Sequence, residues 1–163
     1  MSETNDEPID RRALRDALGM FVTGITVVTA RIGDQQPGGI TVNSFNSVSL
    51  DPPLILWSLS LNSPTLAVFE RCSHYAVNIL AADQEEFSRL FASAETDKFA
   101  GLDIRRGLGG APLLPGCCAW FECRNEVRYP GGDHLIFVGE VERFARAEQP
   151  PLVYFRSDYR RLR

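Results

Sequence analysis

Hydroxyl and amide side chains are concentrated in one stretch of the chain, Gly38 to Leu59, which reads GGITVNSFNSVSLDPPLILWSL. Side chains alternate across a strand. Alternate positions here form an apolar set, Ile40, Val42, Val48 and Leu50, and a mostly polar set, Thr41, Asn43, Phe45, Ser47 and Ser49. No charged residue lies between Gly38 and Leu50. Small neutral hydrogen-bonding groups suit a planar, uncharged ligand rich in heteroatoms, although periodicity alone slightly favours an ordinary edge strand with a neutral polar face.

A second group of candidate binding residues is Asn62-Ser63-Pro64-Thr65, which precedes an apolar run. Ser63 stands where a helix N-cap belongs, and Pro64 stands at the first helical position. A helix N-terminus offers unpaired N–H groups to a phosphate. The chain has neither a GxxxxGK[ST] motif nor a strand-linked GxGxxG, so a nucleotide phosphate would need such a cradle. A purely capping role for Ser63 is an equal alternative.

One histidine is placed where it could act on a ligand. His134 follows Gly131-Gly132-Asp133 in the turn between two long alternating segments, residues 117–129 and 134–144, which predict a hairpin. An imidazole titrates near neutral pH and can orient a ligand or exchange a proton. By composition alone, a histidine that begins a strand is more often structural than catalytic.

Composition is that of a globular protein. The chain has 163 residues, of which 44% are hydrophobic and 23% charged, and this length predicts one domain over residues 10–163. Residues 1–9 are polar and acidic and predict a flexible tail. The net charge of −4 argues against nucleic acid or an anionic membrane as partner. The N-terminus does not resemble a signal peptide, and we expect a cytoplasmic protein without membrane association.

The four cysteines do not form a metal-binding pattern. Cys72, Cys117, Cys118 and Cys123 lack CxxC spacing, and neither His74 nor His134 completes a zinc motif. We therefore expect neither a metal site nor structural disulfides. Cys117 and Cys123 fall on an apolar parity and are predicted to be buried.

Strand-like segments outnumber helical ones. The helical predictions are a helix capped by Asp10 that buries Leu14, Ala17, Leu18 and Phe21, a helix after Ser63, and a helix opened by a capping box at residues 83–86. Further strands are predicted at residues 24–32, 54–59, 74–80 and 151–154, and loops at 91–101 and 107–116. This balance predicts a closed β-barrel with helices packed outside it. The basic and aromatic C-terminus, RSDYRRLR, could close over a ligand.

The stretch GGITVNSFNSVSLDPPLILWSL resembles the signature of the flavin reductase-like, FMN-binding split-barrel family, and the resemblance covers about residues 10–162. It implies a mainly β fold with flanking helices, a split β-barrel of the FMN-binding type. It also implies an NAD(P)H:flavin oxidoreductase that reduces FMN or FAD by hydride transfer to flavin N5, with NADH or NADPH as electron donor. Family members resemble homodimers with the flavin near the subunit boundary, and many supply reduced flavin to a separate monooxygenase.

The resemblance also implies a set of site residues. The predicted flavin contacts are Thr41, Val42, Asn43, Ser44, Ser47, Val48, Ser49, Ser58, Leu59, Ser60, Asn62, Ser63, Phe91, Ala92, Lys98 and Phe99. Within this set, the residues from Ser58 to Ser63 would hold the ribityl-phosphate end. The predicted nicotinamide side comprises Gly132, Asp133, His134, Arg156 and Tyr159, with His134 in the catalytic role of orienting the nicotinamide. An ordinary solvated surface charge is the competing interpretation of Lys98.

Three other functions fit parts of the same pattern. A flavin-binding electron carrier on the same barrel would bind flavin without oxidising NADH. A haem-binding relative would need His74 or His134 as an axial ligand. A pyridoxamine-phosphate oxidase-like enzyme would need an arginine- and lysine-rich substrate pattern, which is not evident in this chain.

Overall fold

A seven-stranded antiparallel sheet is the largest element of the computed structural model, which describes residues 8–163. The predicted tail, residues 1–9, falls almost wholly outside that range. The helices are α1 (Arg11–Leu18), α2 (Leu66–Arg71) and α3 (Glu85–Ala92), with a 3₁₀ turn at Leu108–Gly110. The strands are β1 (Thr23–Gly24), β2 (Thr26–Ala30), β3 (Gly38–Val42), β4 (Asn46–Leu50), β5 (Pro53–Ser60), β6 (His74–Ile79), β7 (Arg105–Arg106), β8 (Pro112–Leu113), β9 (Ala119–Gly131), β10 (His134–Arg146), β11 (Val153–Phe155) and β12 (Asp158–Arg160).

The order of strands makes the large sheet a split barrel. The order is β3-β2-β6-β9-β10-β5-β4, so β3 and β4 lie at opposite edges although they are consecutive in sequence. The chain from Val42 to Asn46 spans at most roughly 14 Å, and this short connection forces the two edges of the sheet to curl toward each other. The edges do not pair into a ladder, so the closed barrel predicted from the balance of strands is wrong. The predicted mainly β fold with a split barrel and flanking helices is confirmed.

Two large apolar clusters and a small third one fill the interior. In the first, Trp57 stacks on Phe137 with ring centroids 4.5 Å apart and meets Phe69 edge-on at 4.9 Å. The second lies under α3 and contains Val27 and Phe91. All five residues of β2 are buried, which confirms the prediction of a central strand that is apolar on both faces.

A buried amide ties the sheet to the loop that covers one end of it. Asn78 on β6 donates to the Val27 carbonyl at 2.9 Å and to Thr29 Oγ1 at 3.1 Å. Its own carbonyl accepts from the Leu114 N–H at 2.9 Å. Asn78 is fully buried, so its hydrogen bonds must be made within the protein. The network fixes β2, the neighbour of β3, against β6.

The first helix begins as predicted but does not bury its apolar face. Asp10 caps α1 by accepting from the N–H groups of Arg12 and Ala13. Leu14, Leu18 and Phe21 are 47%, 67% and 79% exposed, and Ala17 is exposed too. The predicted burial is wrong for a single chain, because none of its described elements covers this face.

The stretch from Gly38 to Leu50 is two strands rather than one. Strand β3 ends at Val42 and β4 begins at Asn46. The irregular residues 43–45 between them, here called the break, change which side chains face inward. Phe45 packs against the first cluster, whereas Val48 and Leu50 are 49% and 94% exposed. The prediction that Val48 and Leu50 share a buried face with Ile40 is therefore wrong within one chain.

Two predicted helices form, but their caps differ from those predicted. Helix α2 begins at Leu66 after Thr65, and Ser63 Oγ instead accepts from the Thr65 N–H at 3.3 Å. Ser63 therefore stabilises the turn before the helix rather than the helix itself. Helix α3 begins after Gln84, whose side chain accepts from the Ala81 N–H and donates to the Pro115 carbonyl. The predicted capping box does not form, and a local bond to Ala81 and a tertiary bond to Pro115 take its place.

The two hairpins that border the site are both short-looped. The predicted hairpin of β9 and β10 is confirmed, with Gly132 and Asp133 as its loop. The C-terminal hairpin of β11 and β12 is predicted only in part. The sequence predicts a strand at residues 151–154 and a following segment that could close over a ligand, whereas Asp158–Arg160 forms β12. The turn of this hairpin places Arg156 and Ser157 at φ of 51° and 62°, and positive φ at two central residues matches the twist of a two-residue hairpin.

Candidate functional site

The main cavity, here called the groove, lies between the end of β3 and the end of β5. It has a volume of about 430 Å³. Its lining residues are Ile40, Thr41, Val42, Asn43, Ser44, Ser58, Leu59, Ser60, Asn62, Ser63, Pro64 and His134. The predicted contacts from 41–44 and 58–63 and the predicted catalytic histidine therefore meet in one cavity. None of these lining residues except His134 can carry a charge.

Strand register explains why residues distant in sequence meet here. On the antiparallel pair of β5 and β10, Ser60 lies opposite His134. The Leu61 N–H donates to the Asp133 carbonyl at 3.0 Å, which ties the β9–β10 loop to the chain leaving β5. His134 is thereby placed at the rim of the groove, next to the hydroxyl of Ser60.

Ser44 bridges the split in the barrel. Its Oγ accepts from the Ser58 N–H at 3.0 Å and donates to the Ser58 carbonyl at 3.2 Å. The pairing of β4 with β5 ends at Leu56, so Ser58 has no strand partner on this side and the hydroxyl takes the place of one. Ser44 was predicted to contact flavin. In this structure it also holds the two walls of the groove together.

The imidazole of His134 is held by its neighbour in sequence. His134 Nδ1 lies 2.6 Å from Asp133 Oδ1, and this hydrogen bond lowers the pKa of the Asp133 carboxyl. A carboxylate that accepts from Nδ1–H leaves Nε2 as the free ring nitrogen. The His134 side chain is 46% exposed, so Nε2 is accessible to a ligand that enters the groove.

A second cavity of about 270 Å³, here called the lysine lobe, adjoins the groove at Pro64. It is lined by Pro37, Gly38, Gly39, Pro64, Thr65, Ser93, Ala94, Glu95, Thr96, Lys98 and Phe99. Lys98 Nζ donates to the Phe91 carbonyl at 3.1 Å, and partial burial lowers the pKa of its ammonium group. An ammonium group with hydroxyls beside it is suited to an anionic group such as a phosphate.

Phe91 supports the floor of this lobe from beneath. A Cβ on Gly39 would come within 2.7 Å of the Phe91 ring, so only glycine lets β3 pass this close. The Phe91 side chain is fully buried and packs edge-on against Phe99. The Phe91 ring lies beneath the backbone of β3 and does not line the lobe, and the contact between Phe91 and a cofactor stays a prediction.

A third cavity, here called the tyrosine lobe, has a volume of about 220 Å³ and shares Thr41, Val42 and Asn43 with the groove. Its other lining residues are Ile25, Ser88, Ala92, Tyr154 and Tyr159. The hydroxyls of Tyr159 and Ser88 lie 2.9 Å apart, and Thr41 Oγ1 donates to the Ser88 carbonyl at 2.7 Å. Ser88 thus joins the C-terminal hairpin to the strand that lines the groove.

Several predicted residues do not lie in the groove. Ser47, Val48 and Ser49 lie on β4 and line none of these three cavities. Arg156 lies in the turn of the C-terminal hairpin, where its N–H donates to the Gly19 carbonyl. Ala92 and Tyr159 lie in the tyrosine lobe, apart from His134. The positions of these residues follow from the break in the chain at 43–45 and from the C-terminal hairpin.

Sequence reasoning missed Ser88 and Tyr154. Ser88 had a readable signal, since it stands three and four residues before Phe91 and Ala92 and therefore shares their face of α3. Tyr154 had none, because its place depends on how the C-terminal hairpin docks.

Comparison with known proteins identifies the fold. Residues 18–163 match the family model described as flavin reductase like domain. The chain belongs to this family. It is 46% identical over 143 residues to FMN reductase (NADH) SmoA of Agrobacterium fabrum, which covers 88% of this chain and 81% of that protein.

Two other curated relatives are longer. The chain is 42% identical to a probable flavin reductase of Rhizobium meliloti, over 94% of this chain and 49% of that protein. It is 45% identical to the reductase component of a flavin-dependent trigonelline monooxygenase of Acinetobacter baylyi, over 91% of this chain and 48% of that protein. The chain thus spans about half the length of these two relatives.

A solved relative has the same fold over nearly its whole length. The Streptomyces globisporus NADH:FAD oxidoreductase SgcE6, in complex with NAD and FAD fragments, superposes with a TM-score of 0.90 at 39% identity. The match covers 96% of this chain and 95% of that one.

The described residues contain neither a metal-binding cluster nor a membrane-spanning helix. Within residues 8–163, no cluster of three or more His, Cys, Asp or Glu side chains could hold a metal ion. Across the same residues, none of the helices has the length and apolarity needed to cross a membrane. All four cysteines are free thiols, and Cys117 and Cys123 are buried as predicted.

Proposed function

We propose that this chain is an NAD(P)H-dependent flavin reductase that transfers a hydride to FMN or FAD. One observation carries the proposal. A groove with uncharged hydroxyl and amide walls ends at His134 on one side and adjoins the Lys98 lobe on the other. A flavin nucleotide has the same polarity, with a neutral ring system at one end and a phosphate at the other. The curated relatives named flavin reductase support the same activity.

The flavin ring system is proposed to lie in the groove. The hydroxyls of Thr41 and Ser60 and the amide of Asn43 line it and would meet the ring oxygens and nitrogens. The ribityl-phosphate would run past Pro64 toward Thr65 and Lys98. The bound flavin supplies the hydride-accepting chemistry, and the protein supplies position and electrostatics.

His134 is proposed to orient the nicotinamide of the electron donor. Its Nδ1 is engaged by Asp133, which fixes the ring and aims Nε2 outward. A nicotinamide carboxamide has both a donor and an acceptor, so it can pair with either state of Nε2. Gly132 beside this pair leaves the rim open, since a Cβ there would meet no other atom within 4 Å. NADH is the donor named for the Agrobacterium and Streptomyces relatives.

A homodimer is also proposed, because a single chain exposes many large apolar side chains to solvent. The exposed set includes Ile9, Leu14, Leu18, Met20, Phe21, Val22, Val48, Leu50 and Phe144. Six of these nine side chains fall within residues 9–22, and apolar exposure concentrated in this way is typical of interfaces. The exposed face of α1 and the outer residues of β4 are the surfaces that a second copy would cover. A separate oxygenase that consumes the reduced flavin is proposed from the relatives that are monooxygenase reductase components.

The test is NADH oxidation by the purified protein, followed by NADH absorbance with added FMN, FAD or no flavin. Turnover that rises with added flavin would establish the reductase and identify its preferred flavin. A bound yellow chromophore without NADH turnover would replace this proposal with the flavin-binding electron carrier. Size-exclusion chromatography with light scattering of the same sample tests the dimer.

A further inference from the structure

Asn125, which lies outside every cavity of the site, makes an unusual set of contacts with α2. Its Nδ2 donates to the Phe69 carbonyl at 2.7 Å and to the Cys72 carbonyl at 3.0 Å. The last carbonyls of a helix lack partners within the helix. Asn125 therefore caps the C-terminal end of α2 from a neighbouring strand.

A β-bulge aims this side chain at the helix. Along the β9–β10 ladder, Val127 pairs with Val138 but Asn125 pairs with Gly139, so Glu126 is an extra residue on β9. Bulges redirect side chains and are common beside active sites. Gly139 permits the distortion, because a Cβ there would lie 2.9 Å from the Cβ of Cys123.

Helix α2 packs on the first apolar cluster along one face. Its one fully buried side chain is Phe69, which meets the Trp57 ring edge-on at 4.9 Å, and the partly buried Leu66 and Val68 pack against the same cluster. These contacts hold the inner face of the helix and leave its C-terminal carbonyls to other partners. The two bonds from Asn125, with the bond from the Asn125 N–H to the Ser73 carbonyl at 2.9 Å, provide a second point of attachment and define the direction of the helix.

The other end of α2 leads directly into the proposed phosphate-binding residues. Ser63, Pro64 and Thr65 precede Leu66 and line the groove and the lysine lobe. A six-residue helix is about 9 Å long, so a small tilt at Cys72 is carried to Thr65. The Ser63–Thr65 hydroxyl pair moves with the helix.

We infer that Asn125 is a positioning residue for flavin-phosphate recognition, acting through α2 on the Ser63–Thr65 turn. The inference rests on the proposed function. Replacing a positioning residue should weaken binding of the phosphate end of the flavin and leave binding of the ring end unchanged, whereas replacing a purely structural residue should affect both. Riboflavin, which has the ring and ribityl chain without the phosphate, separates the two.

The experiment measures dissociation constants of FMN and riboflavin by flavin fluorescence for wild type, Asn125→Ala and two controls. Arg128→Ala removes the outer partner of the same amide, Arg128 Nη1, which lies 3.2 Å from Asn125 Oδ1. Leu152→Ala opens a cavity in the second apolar cluster and lowers stability without touching α2. Only Asn125→Ala is expected to weaken FMN binding about tenfold while riboflavin changes less than about twofold.

Each other outcome refutes one specific claim. An unchanged FMN-to-riboflavin ratio in Asn125→Ala, or an equal change of the ratio in Leu152→Ala, overturns the positioning role. Equal binding of FMN and riboflavin by the wild type also overturns it, because no phosphate recognition would exist to be positioned. Failure of the wild type to bind either flavin would refute the proposed function itself. If Asn125→Ala does not fold, Asn125→Ser, whose hydroxyl has only one hydrogen to donate, gives the same comparison.

Discussion

Ser44→Ala would test whether one hydroxyl holds the split barrel closed at the groove. The substitution removes two hydrogen bonds to the Ser58 backbone, at 3.0 and 3.2 Å. A net hydrogen bond contributes about 1 kcal/mol. Because this site is only partly buried and water can replace the hydroxyl, we expect a total loss of about 1 to 2 kcal/mol in the free energy of unfolding.

The loss should be visible both in stability and in ligand binding. For a domain of this size, about 1 to 2 kcal/mol corresponds to a fall in Tm of about 3 to 6 °C. Ser44 and Ser58 also line the groove, so loosening their contact should raise the FMN dissociation constant about three- to tenfold. Thermal unfolding and flavin fluorescence titration, at one fixed protein concentration, measure the two effects.

The matched control is Ser49→Ala, which makes the same chemical change on β4, away from the three cavities. It should leave both quantities within error of wild type. A Ser44→Ala protein with unchanged Tm and unchanged FMN affinity would refute the bridging role. Ser44→Thr keeps the hydroxyl and should retain most of the wild-type Tm and most of the wild-type FMN affinity.

Three further predictions concern single side chains. His134→Ala should lower kcat/KM for NADH about ten- to a hundredfold, because the nicotinamide loses its orientation, while FMN affinity stays the same. Unchanged NADH turnover would show that the role assigned to His134 is wrong. Burial lowers the pKa of Lys98 below its ordinary 10.5, and the positive ammonium is the phosphate-binding form. The affinity for FMN should therefore fall as pH rises through that lowered pKa, whereas the affinity for riboflavin should not. Lys98→Met should abolish this difference in pH dependence between the two flavins. Equal pH profiles for both flavins in the wild type would contradict phosphate binding by Lys98. Burial raises the pKa of Cys72 to about 11 and those of Cys117 and Cys123 to about 12. A disulfide reagent at about pH 8 should therefore modify only Cys118 in the native protein, and all four thiols after unfolding. Rapid reaction of more than one native thiol would contradict the burial of these three side chains.

The sequence by itself determined the elements and the chemical character of the groove. Alternation along residues 117–129 and 134–144 was long enough to define a hairpin, and its glycine-rich turn placed His134 at the start of a strand. The uncharged run from Gly38 to Leu50 predicted a neutral binding surface because burial beside a ligand excludes ions. These signals are local, so they survive without knowledge of the fold.

Tertiary structure decided which of those residues share a site. The break at residues 43–45 sends β3 and β4 to opposite edges of the sheet, so Ser44 enters the groove while Ser47 to Ser49 do not. Helix caps also depended on distant partners, as Gln84 bonding to Pro115 and Asn125 capping α2 show. Whether the apolar face of α1 is buried depends on what packs against it, and periodicity predicts an apolar face without saying which surface covers it.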